Sequence, residues 1–164
     1  MDERKPQKDQ CAHGKMLFQV DATVYVQPEG GKWTLSAAGL FLLRTLEHDH
    51  TKANPVSEHN LLIPCCGHSA WLNEGGRFKL LCTGCGLGKN PEVIHRDKTI
   101  LIRGEQEQTV SFMEWKDSVF AFVDQVREFY DKSSPKVLPD EGVDREGGAA
   151  FWQEWRARRG ATYS

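Results

Sequence analysis

The sequence predicts an α+β fold: a mostly antiparallel sheet with two main helices on one face, a zinc-ribbon-like hairpin insertion and a short C-terminal helix. Three observations predict it. Apolar residues alternate with polar ones from Phe18 to Gln27, the period of a half-buried strand. Apolar residues recur at spacings of three and four from Phe112 to Tyr130, the period of an amphipathic helix. Between them lie short apolar runs separated by glycine-rich or charged turns, as antiparallel hairpins require.

In chain order, the first expectation is a flexible N-terminal tail over residues 1–15, polar and charged, with Cys11 and His13 solvated at a chain end. Phe18, Val20, Ala22, Val24 and Val26 then share one strand face, and Pro28-Glu29-Gly30-Gly31 turns the chain. A buried helix follows from Leu35 to Glu47, with Thr34 or Ser36 as its cap. Ala70 to Asn73 and Arg77 to Leu81 flank Glu74-Gly75-Gly76 as one hairpin. Val93-Ile94 and Thr99 to Arg103 form a second, and Thr109-Val110 continues it. Ser111-Phe112-Met113-Glu114 is a capping box. The serine accepts from a backbone N–H while the glutamate reaches back to the serine's own N–H. The helix it opens ends at Ser133-Ser134-Pro135. The α+β domain thus spans residues 16–132. Residues 133–164 are an extended linker and a C-terminal aromatic helix, about Ala149 to Arg158, that docks on the domain.

Composition narrows the function classes. The chain has 164 residues, 39% of them hydrophobic and 27% charged, with a net charge of −2. A chain this long buries about 70% of the surface its unfolded form exposes. The charge is spread evenly, so no segment has the positive field that phosphate-backbone binding needs. The longest apolar run, Ala37 to Leu43, is far short of the roughly 20 residues that span a bilayer. With no signal-like stretch after Met1 to Gln10, the protein is expected in the cytoplasm. There the thiols stay reduced, and five cysteines, an odd number, argue against a disulfide framework.

The most specific local chemistry is Cys65-Cys66-Gly67-His68 followed by Cys82-Thr83-Gly84-Cys85-Gly86. Soft donors two residues apart on a tight turn aim at one ion. Cys65, Cys66, His68, Cys82 and Cys85 are therefore candidate ligands of a structural zinc. Ile63 stands where the leading ligand of a Pro-x-Cys-Gly turn would sit. Either Cys65 or Cys66 then serves, with His68 or a distant donor closing the site. Over residues 63–88 the segment resembles zinc ribbons in general, which implies a fold element and a metal but no particular activity. Buried cysteines packed as small hydrophobes are the plain alternative.

His48-Asp49-His50, with His59 nearby, offers a metal or acid/base site, although histidines at i and i+2 do not share a helix face. Phe151, Trp152 and Trp155, with Arg156 and Arg159, offer a protein-binding surface because tryptophan and arginine favour interface hot spots. Their other role is docking on the domain itself. No nucleophile elbow, zinc-protease motif, dinucleotide glycine motif or kinase set is present. The function expected is a non-catalytic protein-binding or inhibitor/immunity-type protein with a structural metal site. Its rivals are a metal-dependent enzyme using His48, His50 and His59, and a zinc-ribbon nucleic-acid-binding module using Arg77, Lys79, Lys89, Arg96 and Lys98.

Overall fold

A computed structural model describes residues 10–82, 86–133 and 143–163. It is a mixed fold of helices and antiparallel sheets. Strand β1 (His13–Gly14) pairs with β4 (Trp33–Thr34), β2 (Phe18–Val20) with β3 (Thr23–Val26), and β5 (His68–Leu72) with β6 (Phe78–Cys82). Strands β7 (Glu92–Arg96), β8 (Thr99–Arg103) and β9 (Glu107–Ser111) make a meander. The helices are α1 (Leu35–Arg44), α2 (Phe112–Lys132) and α3 (Val143–Gly160). The single sheet expected from the sequence is, among the described residues, four small sheets, all antiparallel.

Helix α1 is the centre of the core. Every residue from Leu35 to Leu43 is buried, because α2 packs on one side of it and α3 on the other. Its start is capped by the chain rather than by a side chain. Leu35 N–H donates to Ala12 C=O at 2.8 Å, and Ala12 N–H donates to Ser36 Oγ at 3.0 Å. Thr34, the N-cap, instead donates its hydroxyl to Cys66 C=O. Within the tail expected over residues 1–15, Cys11 and Ala12 are buried rather than solvated, and the Ala12 carbonyl satisfies an open N–H group of α1.

The alternating segment is a hairpin, not one strand. Asp21 takes a positive φ of 50°, a conformation Asp tolerates better than most residues, and the chain reverses there. The reversal changes which residues face inward. Thr23 is buried and Val24 exposed, opposite to the alternation read through from Phe18.

Helix α2 opens on the capping box as read: Glu114 N–H donates to Ser111 Oγ, and Ser111 N–H to Glu114 Oε2. It buries Trp115, Val119, Val123 and Val126, while Phe129 and Met113 at the margins of the apolar stripe stay exposed. Trp115 Nε1–H donates to Thr45 Oγ1 at 3.1 Å, and Thr45 in turn donates to Leu42 C=O. That buried chain of polar groups fixes α2 against the end of α1.

Helix α3 starts six residues earlier than the aromatic cluster suggests. Its Gly147-Gly148 pair reads as loop composition, but Gly147 packs where a Cβ would overlap the Ala70 carbonyl of β5. Glycine is there for close approach. Gly39 of α1 likewise leaves room for the indole of Trp155.

Candidate functional site

The cysteine and histidine residues divide between two environments. His68 and Cys82 are cross-strand partners on β5 and β6, so their side chains share a face, and that face is the core. The His68 ring stacks on Phe151 with centroids 5.2 Å apart and planes 11° apart, and its Nε2 lies 3.1 Å from Ser36 Oγ. Burial pushes the Cys82 thiol up to about 12, against the charge of Arg44. Cys11, absent from the ligand set read from the sequence, lies at the backbone of the same strand: His68 N–H donates to Cys11 Sγ at 3.3 Å. No local pattern marks Cys11, since the contact spans 57 residues of sequence.

Cys65 and Cys66 are elsewhere, half-buried, with their sulfurs 3.7 Å apart. Cys65 is disulfide-bonded. An odd cysteine count argues against full pairing, not against a single bridge. Cys85 lies outside the described residues. A hairpin, β5–β6, does fill the interval between the two cysteine groups. Among the described residues, no three His, Cys, Asp or Glu side chains are grouped to hold a metal ion.

The histidine string is spread apart. His50 is fully buried: its Nδ1 accepts from Val56 N–H at 3.1 Å, and its Nε2–H donates to Asn90 Oδ1. With both ring nitrogens engaged, His50 has no lone pair for a metal. Asn90 also accepts from Leu62 N–H and donates to Asn60. The network ties the long connection after α1 to the segment entering β7. His48 and His59 are exposed on that connection. Asp49 turns the other way and accepts from both the backbone N–H and Nδ1–H of His95, each at 2.8 Å. Burial raises the Asp49 carboxyl, but the two His95 hydrogen bonds and its charge outweigh that and lower it. His95 was not a candidate in the sequence, because its partner lies 46 residues away.

The aromatic residues of α3 pack on the rest of the chain. Phe151 and Trp155 are buried between α1 and the β5–β6 hairpin, and Trp152 packs on Tyr130 under the guanidinium of Arg127. Arg159 forms two 2.8 Å hydrogen bonds to Asp124 of α2. Arg156 alone of the five is exposed. The reason is geometric: Phe151, Trp152 and Trp155 at spacings of one, three and four form one helix face, and that face seals the core. No helix of the described residues is long and apolar enough to cross a membrane.

No family model, no curated protein and no solved structure matches the chain.

Two of the concave regions among the described residues offer places for a ligand. One, of about 490 Å³, lies between β3, the β8–β9 turn and residues 89–91. Trp33 lines it, with its buried Nε1–H unpaired among the described residues. Two of its other polar groups already serve the fold: Tyr25 Oη donates to Ile102 C=O, and Gln106 pairs with Thr23. The other, of about 380 Å³, is a groove between β2 and α2, walled by Phe18, Trp115, Val119 and Phe122. Its lining holds no His, Cys, Lys or Arg.

Proposed function

We propose that the protein is a non-catalytic protein-binding molecule whose cysteine–histidine segment is structural. The observation that carries the reading is the β2–α2 groove. It has the apolar walls of a binding cleft, and its lining carries two carboxylates, Asp21 and Glu114, but no histidine, cysteine, lysine or arginine to work with them. The side chains best suited to catalysis support the same reading, because they serve the interior: His50 in a closed network, His68 stacked on Phe151, Cys82 as a buried thiol.

The test is chemical cross-linking of the full chain in its native host, followed by calorimetry with the purified cross-linked protein. Saturable binding at one partner per chain supports the reading. Absence of any partner that rebinds in purified form rejects it.

A metal-stabilised form of the cysteine segment is a second reading, favoured by one distance. Sulfurs bound to one zinc at about 2.3 Å in a tetrahedron lie about 3.8 Å apart, and Cys65 and Cys66 lie 3.7 Å apart. Cys65 would have to be reduced first. Cys85 would be the next donor, and a fourth would come from Cys82 or His68 only if one left the core. Metal analysis of reduced protein, with and without chelator, decides it. One zinc per chain, lost in Cys66→Ser, supports the metal. Reduced, folded protein without metal removes it.

A further inference from the structure

The binding reading gains a specific occupant from the geometry of the groove. Six consecutive residues, Met16 to Asp21, line it. The face of a strand contributes alternate residues, because successive side chains point to opposite sides. An unbroken run means that the edge of β2 borders the groove. That edge is unpaired: β2 belongs to a two-stranded sheet with β3, and no strand among the described residues lies on its other side.

The register says which backbone groups are offered. Val20 pairs with Thr23 and Gln19 with Val24 across the two-residue turn Asp21-Ala22, the register shifting only beyond Gln19, between it and Phe18. Val20, which flanks the turn, thus takes the hydrogen-bonded position opposite Thr23. Gln19, the next residue back, therefore points its N–H and C=O away from β3. The opposite wall is α2, where Trp115, Val119 and Phe122 supply apolar surface and Ser118 is exposed at the rim. Strand β2 spans three residues, so the pairing strip takes about three extended residues at about 3.3 Å each. The ionisable groups in the lining are Asp21 and Glu114, both acidic, with no basic residue to balance them.

We propose that an extended segment of the partner protein adds to the edge of β2 as a third strand. Its alternate apolar side chains lie against α2, and a lysine or arginine at one end meets Asp21 and Glu114. Backbone pairing supplies affinity, and the groove and its acidic rim supply selection. The inference rests on the protein-binding reading and deepens it by naming where and how the partner is held.

The experiment uses the full chain and a displayed library of random heptapeptides. Enriched sequences should alternate apolar residues and carry Lys or Arg at one end. A synthetic enriched peptide should slow hydrogen exchange at the Gln19 amide. Two variants localise it. Gln19→Pro removes the outward N–H at an edge position where proline is tolerated, and Ser118→Trp fills the groove from an exposed helix site. Each should weaken the peptide by about tenfold or more, as loss of main-chain pairing or apolar contact predicts, with unchanged circular dichroism. If Gln19→Pro fails to fold, Ser118→Trp and the exchange measurement decide. No enrichment, or equal binding by the folded variants, overturns the proposal. So does a concentration-dependent dimer that Ser118→Trp abolishes, which would put a second copy of the chain in the groove. A host partner bound equally well by Ser118→Trp leaves the protein-binding reading standing and removes only this location.

Discussion

At the scale of single residues, His50 shows how a reactive side chain becomes a structural one. Burial holds its pKa below the ordinary 6.5, against smaller upward effects from the Asn90 hydrogen bond and the charge of Glu92. The native state therefore keeps the ring neutral where the unfolded chain protonates it. The stability this contributes is complete above pH 6.5 and is lost as pH falls from there through the lowered native value. His50→Gln should cost about 2 kcal/mol at pH 7.5, from unpaired Val56 N–H and Asn90 groups. At pH 5 the gap between variant and wild type should narrow. Urea unfolding at the two pH values checks this, and a gap that stays constant would mean that His50 is not held neutral.

Gly147 makes the same point through its missing side chain. Helix α3 approaches β5 so closely that a Cβ there would overlap the Ala70 carbonyl, and backbone on both sides leaves little room to yield. In an open helix, alanine stabilises relative to glycine by up to about 1 kcal/mol. Here the sign should reverse, with Gly147→Ala destabilising by roughly 1–3 kcal/mol, as overpacking does. Thermal unfolding reads it, and a stabilised variant would show that α3 does not lie against β5 in this way.

At the scale of elements, what was legible in the sequence follows from how local each cause is. Helix α2 could be read almost to the residue, because its cap, apolar stripe and terminating Ser133 all lie within the segment itself. The capping box contributes directly: Ser111→Ala should cost about 1 kcal/mol, measured as a shift in urea midpoint at unchanged slope. The hairpins β5–β6 and β7–β8 were legible for the same reason, since a turn between two short apolar runs is a local signal. The β2–β3 reversal was missed because Asp21-Ala22 lacks glycine, and period-two alternation runs through it without a break. The start of α3 was missed because its glycines serve a contact with β5, about 75 residues earlier by number. The site was less legible still. Asp49 meets His95, Cys11 meets His68, and the groove joins β2 to α2. Each pairing is made by tertiary packing and leaves no trace in local spacing.

At the scale of the whole molecule, α3 decides whether there is one cooperative unit. Phe151 and Trp155 are buried, and Gly39 of α1 is shaped to the Trp155 indole. The helix is also fastened by charge. Glu154 accepts two hydrogen bonds from Arg44, at 2.7 and 3.0 Å, and another from Arg158, which also reaches Glu47. Burial raises the Glu154 carboxyl, but the hydrogen bonds and charges of the two arginines more than reverse this and hold it below its usual value. Ending the chain before residue 143 would uncover α1 and one face of β5 and take away the carboxylate that Arg44 holds. Each large buried aromatic lost costs about 3 kcal/mol or more, and the apolar surface uncovered on α1 and β5 adds to this. Together these reach the whole stability of an ordinary domain, about 5–15 kcal/mol. The shortened chain should therefore lack a cooperative thermal transition and bind a hydrophobic dye, whereas Glu154→Ala should unfold cooperatively at a lower temperature. A shortened chain that melts as sharply as the full one would show α3 to be an appendage, and its aromatic face would again be available to a partner.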